Sequence, residues 1–212
     1  MQQVIRRSRF SHLRKRIARS STLHALRFCL LLAGVLPALP GHAANTATVA
    51  LAELAHPGRL LMLRHATAPG TGDPAHFRLE DCATQRNLDA GGRAQAAALG
   101  KRLARAGVPG ARVYSSQWCR CLETARLLEL GPVEPLPALN SFFGRPQQRE
   151  ATIAVLREFL AALPPGGPPI VLVTHQFTIN AFTGEGTPSG GGSVFELNGT
   201  GAPRLLGAIE SD

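Results

Sequence analysis

The sequence predicts an α/β fold, a three-layer α/β/α sandwich around a mainly parallel sheet, and three observations carry that reading. Leu60-Leu61-Met62-Leu63 and Ile170-Val171-Leu172-Val173 are unbroken apolar runs of strand length, the pattern of strands buried on both faces. Residues 89–105, 116–130 and 147–163 place apolar side chains at helical spacing. Clusters of Pro and Gly, such as Gly107-Val108-Pro109-Gly110 and Pro164-Pro165-Gly166-Gly167, separate the segments. Strands that alternate with helices in this way build a parallel sheet covered by helices.

Asn45 to Pro57 is an alanine-rich lead-in, read as a short helix packed on the domain. The first strand follows, and then residues 66–88 form a loop broken by Pro69, Gly70, Gly72 and Pro74. Loops of that length are uncommon in compact domains and often functional. Asp89 is placed to cap a helix through Arg105, with Ala94, Ala97, Ala98, Leu99 and Leu103 at helical spacing. Arg112-Val113-Tyr114-Ser115 is the second strand, and Ser115-Ser116 lead into a helix that buries Leu122, Ala125, Leu127 and Leu128. Residues 132–146 read as irregular. The third helix turns Ile153, Val155, Leu156, Phe159 and Leu160 to the core. A helical stretch at Phe177–Phe182 follows the strand that ends at His175. The glycine-rich turn at 184–192 lacks the Gly-Lys-Ser/Thr of a phosphate loop. Ser193–Leu197 and Arg204–Ile209 read as a closing hairpin.

The formal net charge of +9 is no nucleic-acid signal, because it is confined to the start of the chain. Eight of the 23 Lys and Arg residues, and none of the 14 Asp and Glu residues, lie within residues 1–43. That segment reads as an export signal: a basic region, an apolar stretch from Phe28 to Leu39, then small residues around Gly41-His42-Ala43. The apolar stretch is shorter than the roughly 20 residues that span a bilayer. Cleavage after Ala43 leaves residues 44–212 as one periplasmic or secreted domain without stable membrane insertion; an uncleaved anchor is the alternative. Of the four cysteines, Cys29 leaves with the signal, and Cys82, Cys119 and Cys121 permit one disulfide and one odd thiol. Three cysteines without a nearby histidine cluster do not match a tetrahedral zinc site, so neither metal nor cofactor is expected.

The chemistry gathers at strand ends. One strand ends Leu63-Arg64-His65, another ends Val173-Thr174-His175, and a helix begins Ser115-Ser116-Gln117-Trp118-Cys119-Arg120. In a parallel sheet both histidines reach the same edge, where open α/β sheets place their ligands. Helix N-termini attract anions, and arginines add forks that match phosphate oxygens. Fixed positive charge lowers a histidine pKa and leaves a ring nitrogen free to attack phosphorus.

Leu63-Arg64-His65, Asn87-Leu88-x-x-Gly-x-x-Gln95-Ala96, Ser115-Ser116-x-x-x-Arg120-x-x-Glu123-Thr124-Ala125 and Val173-Thr174-His175 together resemble the histidine phosphatase superfamily, which contains the phosphoglycerate mutases and histidine acid phosphatases. The resemblance covers roughly residues 58–210 and implies the phosphoglycerate mutase-like fold. It implies His65 as the nucleophile that becomes phosphohistidine, Arg64 and Arg120 as phosphoryl ligands, and His175 as the group that completes the pocket. Arg86, before Asn87-Leu88, sits where family members often bring another basic residue to the phosphate. Cys121 falls where the family tends to place a small buried residue, which makes Cys119 the better partner for Cys82. Such a bridge would pin the 66–88 loop beside the helix carrying Arg120. Glu123 is expected in a surface ion pair, His56 and His76 at the surface, and Trp118 in packing, with a role in walling the pocket as the alternative.

The chain departs from the family pattern at the general acid. A leaving alkoxide needs a proton, normally from a carboxyl. Mutase-like members supply a glutamate where this chain has Leu139-Asn140-Ser141-Phe142-Phe143, and acid phosphatases an aspartate where it has Gln176. The candidate donors are Asp73, then Glu80, Asp81 and Glu150; the alternative is a substrate whose leaving group needs no strong acid. The function expected is an exported, metal-independent phosphatase acting on phosphate monoesters or a related phosphoryl compound. Its partners would be small phosphorylated substrates or envelope phosphates. The competing expectation is a catalytically weak phosphate-binding module of the same fold.

Overall fold

The computed structural model describes residues 46–211; the predicted export signal at 1–43 lies outside the described residues. The elements run β1 (Arg59–Arg64), α1 (Ala90–Arg105), β2 (Arg112–Ser115), α2 (Cys119–Leu127), β3 (Val133–Pro135), α3 (Arg149–Ala161), β4 (Ile170–Thr174), α4 (Gln176–Thr183), β5 (Gly192–Glu196) and β6 (Arg204–Ile209). They form one mixed sheet of order β3-β2-β4-β1-β5-β6. The first four strands in that order are parallel, and the predicted hairpin adds the two antiparallel ones.

Alternate residues of each strand feed two different cores. Leu61, Leu63, Val113, Val171 and Val173 pack with Leu99 and Leu103 of α1 and Ala125 of α2. Leu60, Met62, Tyr114, Ile170 and Leu172 pack with Leu156 and Leu160 of α3 and Ile179 of α4. Helices on both faces of the sheet give the three layers, and they explain why β1 and β4 are apolar without alternation. Each fully buried Leu or Ile contributes about 1.5–3 kcal/mol of transfer free energy.

The pairing of β1 with β4 sets up the site. Their register places Arg64 opposite Thr174. The next residue of each strand is a histidine, and the His65 N–H donates to the Thr174 carbonyl at 3.0 Å. Both histidines therefore leave the sheet side by side at its carboxyl edge.

Several expectations need correction. The lead-in makes only a short 3-10 turn at Leu51–Ala55, anchored by buried Leu54. Residues 132–146 are not wholly irregular, since β3 pairs with β2; three residues starting after Pro132 were too short to signal a strand. Val155 is exposed, because α3 turns Ile153, Leu156 and Leu160 inward instead. Helix α2 starts at Cys119, later than expected, and ends at Leu127. In α1 the buried stripe is Gly92, Ala96, Leu99, Gly100 and Leu103, and Ala94 and Ala98 face solvent. An alanine-rich helix fits several faces equally well; glycine chose this one. A Cβ on Gly100 would lie 2.3 Å from the Leu128 carbonyl oxygen, and one on Gly92 would lie 2.0 Å from that of Thr67. The Asp89 carboxylate caps α1 as expected, accepting from the Gly92 N–H at 2.6 Å.

Ordinarily Gly→Ala inside a helix stabilises by about 1 kcal/mol. Gly100→Ala is expected to do the reverse, lowering the free energy of unfolding by about 1–3 kcal/mol as α1 is forced off α2. Urea unfolding of wild type beside Gly100→Ala measures both the sign and the size.

Candidate active site

His65, His175, Arg64, Arg86, Arg120 and Asp73 all line one cavity of about 470 Å³ at the carboxyl edge of the sheet. The six residues singled out in sequence are thus brought together. His65 and His175 meet edge to face with ring centroids 5.5 Å apart.

The His65 ring is oriented by its own chain. Its Nδ1 lies 2.8 Å from the Ala66 carbonyl oxygen. A carbonyl only accepts, so Nδ1 carries the proton, and the neutral ring keeps a bare lone pair on Nε2. Burial lowers the His65 pKa to about 3; the Ala66 carbonyl opposes that shift, and Arg120, Arg86 and Arg64 add to it. His175 is driven well below its usual value by burial, helped by Arg120, His65, Arg86 and Arg64. Its Nε2 lies 2.9 Å from the Ser116 hydroxyl and 3.5 Å from the Cys121 sulfur. The Ser116 hydroxyl is closer to this nitrogen than to Asn140 Oδ1 at 3.3 Å. The Ser116 hydroxyl thus bridges the His175 ring and the Asn140 side chain.

Arg120 is held by Asp73. The carboxylate takes the end of the guanidinium, Oδ1 from Nη1 at 2.8 Å and Oδ2 from Nη2 at 3.2 Å. Oδ1 also accepts from the Arg86 N–H and Oδ2 from Trp118 Nε1, both at 3.0 Å. All four acceptor positions of the carboxylate are filled, which leaves no place for a proton. Burial pushes the Asp73 pKa up, but Arg120, the Arg86 N–H and Trp118 outweigh it and hold it below the usual carboxylate range. A general acid must hold a proton before giving one. The expectation that Asp73 is that acid is therefore corrected: it is an anion that positions Arg120. The other candidates, Glu80, Asp81 and Glu150, do not line the cavity, and Asp81 pairs with Arg78.

The arginine edges that Asp73 does not take are available to a ligand. Nε of Arg64 and Nε of Arg120 are buried with no hydrogen-bond partner among the described residues. Two orphaned donors on two cavity-lining guanidiniums are what an anion's oxygens would satisfy. Arg64 Nη1 is fixed by the Thr187 carbonyl at 2.7 Å. Arg86 ties the 66–88 loop, donating Nε to Gly72 O at 2.8 Å and Nη1 to Ala68 O, and only Nη2 is uncommitted to the loop. The predicted anion site at the first amides of α2 is altered, because Gln85 Oε1 caps the Cys119 N–H at 3.0 Å.

The motif residues around the site have structural roles. Thr124 Oγ1 accepts from the Ala66 N–H and donates to the Arg120 carbonyl, tying the end of β1 to α2. Gln95 Oε1 accepts from the Thr67 N–H, and its Nε2 donates to the Ser189 carbonyl. Asn140 bonds the backbone and side chain of Gln117, so the residue standing at the mutase glutamate's place is structural. Glu123 pairs with Arg93 at the surface, and His56 and His76 are exposed, as expected. Trp118 is both core and cavity wall, with its ring edge to face on His175 at 5.4 Å. Cys82 and Cys119 form a disulfide, and Cys121 is a buried free thiol pushed up to about 12 chiefly by burial. The bridge closes a loop between residues 37 apart and joins the 66–88 segment to the first residue of α2. Sequence reasoning missed Ser116 as the partner of His175, and Phe143, Arg145 and Phe177 as cavity walls. Nothing in their spacing marked them. Among the described residues no group of three His, Cys, Asp or Glu side chains is arranged to hold a metal, and no helix is long and apolar enough to cross a membrane.

Buried neutral histidines make stability depend on pH. The unfolded chain protonates each near pH 6.5, whereas His65 in the fold stays neutral down to about 3. Their contribution is complete above pH 6.5 and is lost as pH falls below it, at up to about 1.4 kcal/mol per pH unit for each ring. Urea midpoints between pH 4.5 and 6.5 are expected to follow that slope, and His65→Asn to remove about one histidine's share of it.

A sequence profile of the histidine phosphatase superfamily (branch 1) matches residues 60–161. No curated protein matches the chain in sequence. Among solved structures, the mycobacterial glucosyl-3-phosphoglycerate phosphatase with inorganic phosphate is similar at 18% identity, covering 73% of this chain and 97% of that one with a TM-score of 0.52. A second similar structure, TTHB049 from Thermus thermophilus, has 19% identity, 72% and 99% coverage and a TM-score of 0.51. The protein histidine phosphatase SixA complexed with tungstate follows at 16% identity, 72% and 97% coverage and a TM-score of 0.50. At these identities the likeness is one of fold. With the matched profile, and with residues of three of the four motifs meeting at one cavity, the chain belongs to the histidine phosphatase superfamily.

Proposed function

We propose that the protein is an exported phosphatase that hydrolyses phosphate monoesters, or a related phosphoryl compound, through a phosphohistidine on His65. The observation that carries this reading is the His65 ring itself, with Nδ1 anchored on Ala66 and Nε2 bare among three arginines. In the first step the Nε2 lone pair forms a bond to phosphorus as the bond from phosphorus to the leaving oxygen breaks, and that oxygen departs with the electron pair. The positive charge placed on the imidazole is shared with the Ala66 carbonyl through Nδ1–H. In the second step water adds to phosphorus, the P–N bond breaks, and inorganic phosphate leaves with the ring neutral again. The proton released by the water balances the one taken up by the leaving oxygen.

The protein's contribution is positioning and charge neutralisation. Arg64 and Arg120 present buried Nε–H groups to the phosphoryl oxygens, and Asp73 keeps Arg120 in place. The His175 ring borders the same oxygens, and Arg86 contributes charge at the wall. None of these steps calls on a metal. Solved relatives of the fold hold phosphate and tungstate in their structures, which agrees with a phosphorylated ligand here. The Cys82–Cys119 bridge supports export to an oxidising compartment, where envelope phosphates and scavenged organic phosphates are within reach. The absence of a protonated carboxyl in the cavity wall favours a second reading, a phosphate-binding module with little turnover.

Phosphate release from p-nitrophenyl phosphate, with and without EDTA, separates these readings. Activity is expected to survive EDTA and to fall at least 10³-fold, by order of magnitude, in His65→Ala, with an acid-labile phosphoryl adduct trapped on the wild type. Phosphate binding with no turnover of any phosphoryl donor would instead establish the binding module.

A further inference from the structure

We infer that the cavity carries a leaving-group subsite built for a planar aromatic ring, so that the substrate class is the phosphate monoester of a phenol-type alcohol. This inference rests on the phosphatase reading of the same site. Among the described residues the exposed large apolar side chains are Phe143, Val155 and Phe177, and two of the three stand together at this cavity. Phe143 and Phe177 are stacked, with centroids 5.6 Å apart and planes 20° apart, yet each keeps nearly half its surface in solvent (49% and 44%). They come from unrelated segments. Phe177 lies in the first turn of α4, two residues after His175, and Phe143 follows the buried turn at Pro137–Leu139. On the other side the 66–88 loop comes alongside the Phe143 ring at Gly72, where a Cβ would lie in ordinary contact with it at 3.4 Å. The stacked rings thus form an apolar platform contiguous with an arginine-lined phosphoryl pocket. An aromatic ring attached to a phosphate dianion matches both halves.

The second observation is independent of the platform. The one carboxylate in the cavity wall, Asp73, has no acceptor position left for a proton, so the leaving oxygen departs with little acid assistance. A phenol ionises near pH 10, as a tyrosine does, and its anion is a much better leaving group than an aliphatic alkoxide. Apolar platform and missing acid select the same chemistry.

Binding of non-hydrolysable phosphonates tests the subsite without depending on turnover. Calorimetry would compare inorganic phosphate, methylphosphonate and benzylphosphonate on wild type, on Phe143→Ala/Phe177→Ala and on Phe143→Leu/Phe177→Leu. Both rings are surface-exposed, so these variants are expected to fold, and unchanged phosphate affinity would verify it. Benzylphosphonate is expected to bind wild type about tenfold tighter than methylphosphonate, with the advantage falling below twofold in the alanine variant and only partly kept by leucine. An aromatic preference that is absent in wild type, or that survives in the alanine variant, overturns the subsite while leaving the phosphatase reading intact. Failure of all three ligands to bind overturns the phosphoryl site and the subsite with it.

Discussion

A buried guanidinium is tolerable only when it is paired, and the site depends on the pair that answers Arg120. Its partner, Asp73, comes from a loop with no regular sheet or long helix to hold it in place. The loop is instead fixed by polar contacts: Arg86 grips its carbonyls, Trp118 and the Arg86 amide complete the carboxylate, and the Cys82–Cys119 bridge fastens its far end to α2. Removing one partner of such a pair typically costs about 3–5 kcal/mol, because the other charge is left buried and unanswered. The pair orients more than it stabilises. By taking the end of the guanidinium, Asp73 turns its side edge, with the unpartnered Nε, to a ligand.

The two histidines meet a different constraint. They share one edge because β1 and β4 are parallel neighbours in a register that sets Arg64 against Thr174. Burial together with three guanidiniums forbids a further positive charge, so both rings are neutral, and each must then be told which nitrogen carries its proton. The Ala66 carbonyl does this for His65, while His175 is held through Nε2 by the Ser116 hydroxyl. A tautomer fixed by a backbone acceptor persists at any pH that leaves the ring neutral. With His65 as the proposed nucleophile, a ring prepared in this way needs no separate general base.

What was legible in the sequence follows from these two constraints. Strand ends that place Arg64, His65 and His175 at one edge are readable, because unbroken apolar runs declare buried parallel strands and the polar residue after each run marks the edge. The Asp89 cap and the closing hairpin were readable for similarly local reasons. β3 was hidden by its length, and the buried face of α1 by a helix whose alanines fit any face until Gly92 and Gly100 are seen against the Thr67 and Leu128 carbonyls. Asp73 was found as a residue but misread in role. Its ionisation is set by Arg120, 47 residues away, and by the Trp118 indole, neither of which any local pattern announces. Phe143 and Phe177 were invisible as a pair because only the fold stacks them.

The same arrangement makes the departures at Asn140 and Gln176 compatible with the proposed chemistry. Asn140 replaces an acid with an amide that both accepts and donates to Gln117, which stiffens the segment leading into α2. Gln176, beside His175, adds a neutral wall where the acid phosphatases would place a carboxyl. A neutral Gln176 in the wall keeps negative charge out of a cavity lined by Arg64, Arg86 and Arg120, which strengthens their attraction for a phosphoryl dianion. It also removes a source of protons for the leaving oxygen. On the proposed reading, a site altered in this direction trades acid catalysis for anion binding and suits phosphoryl groups whose leaving oxygen is already stable as an anion.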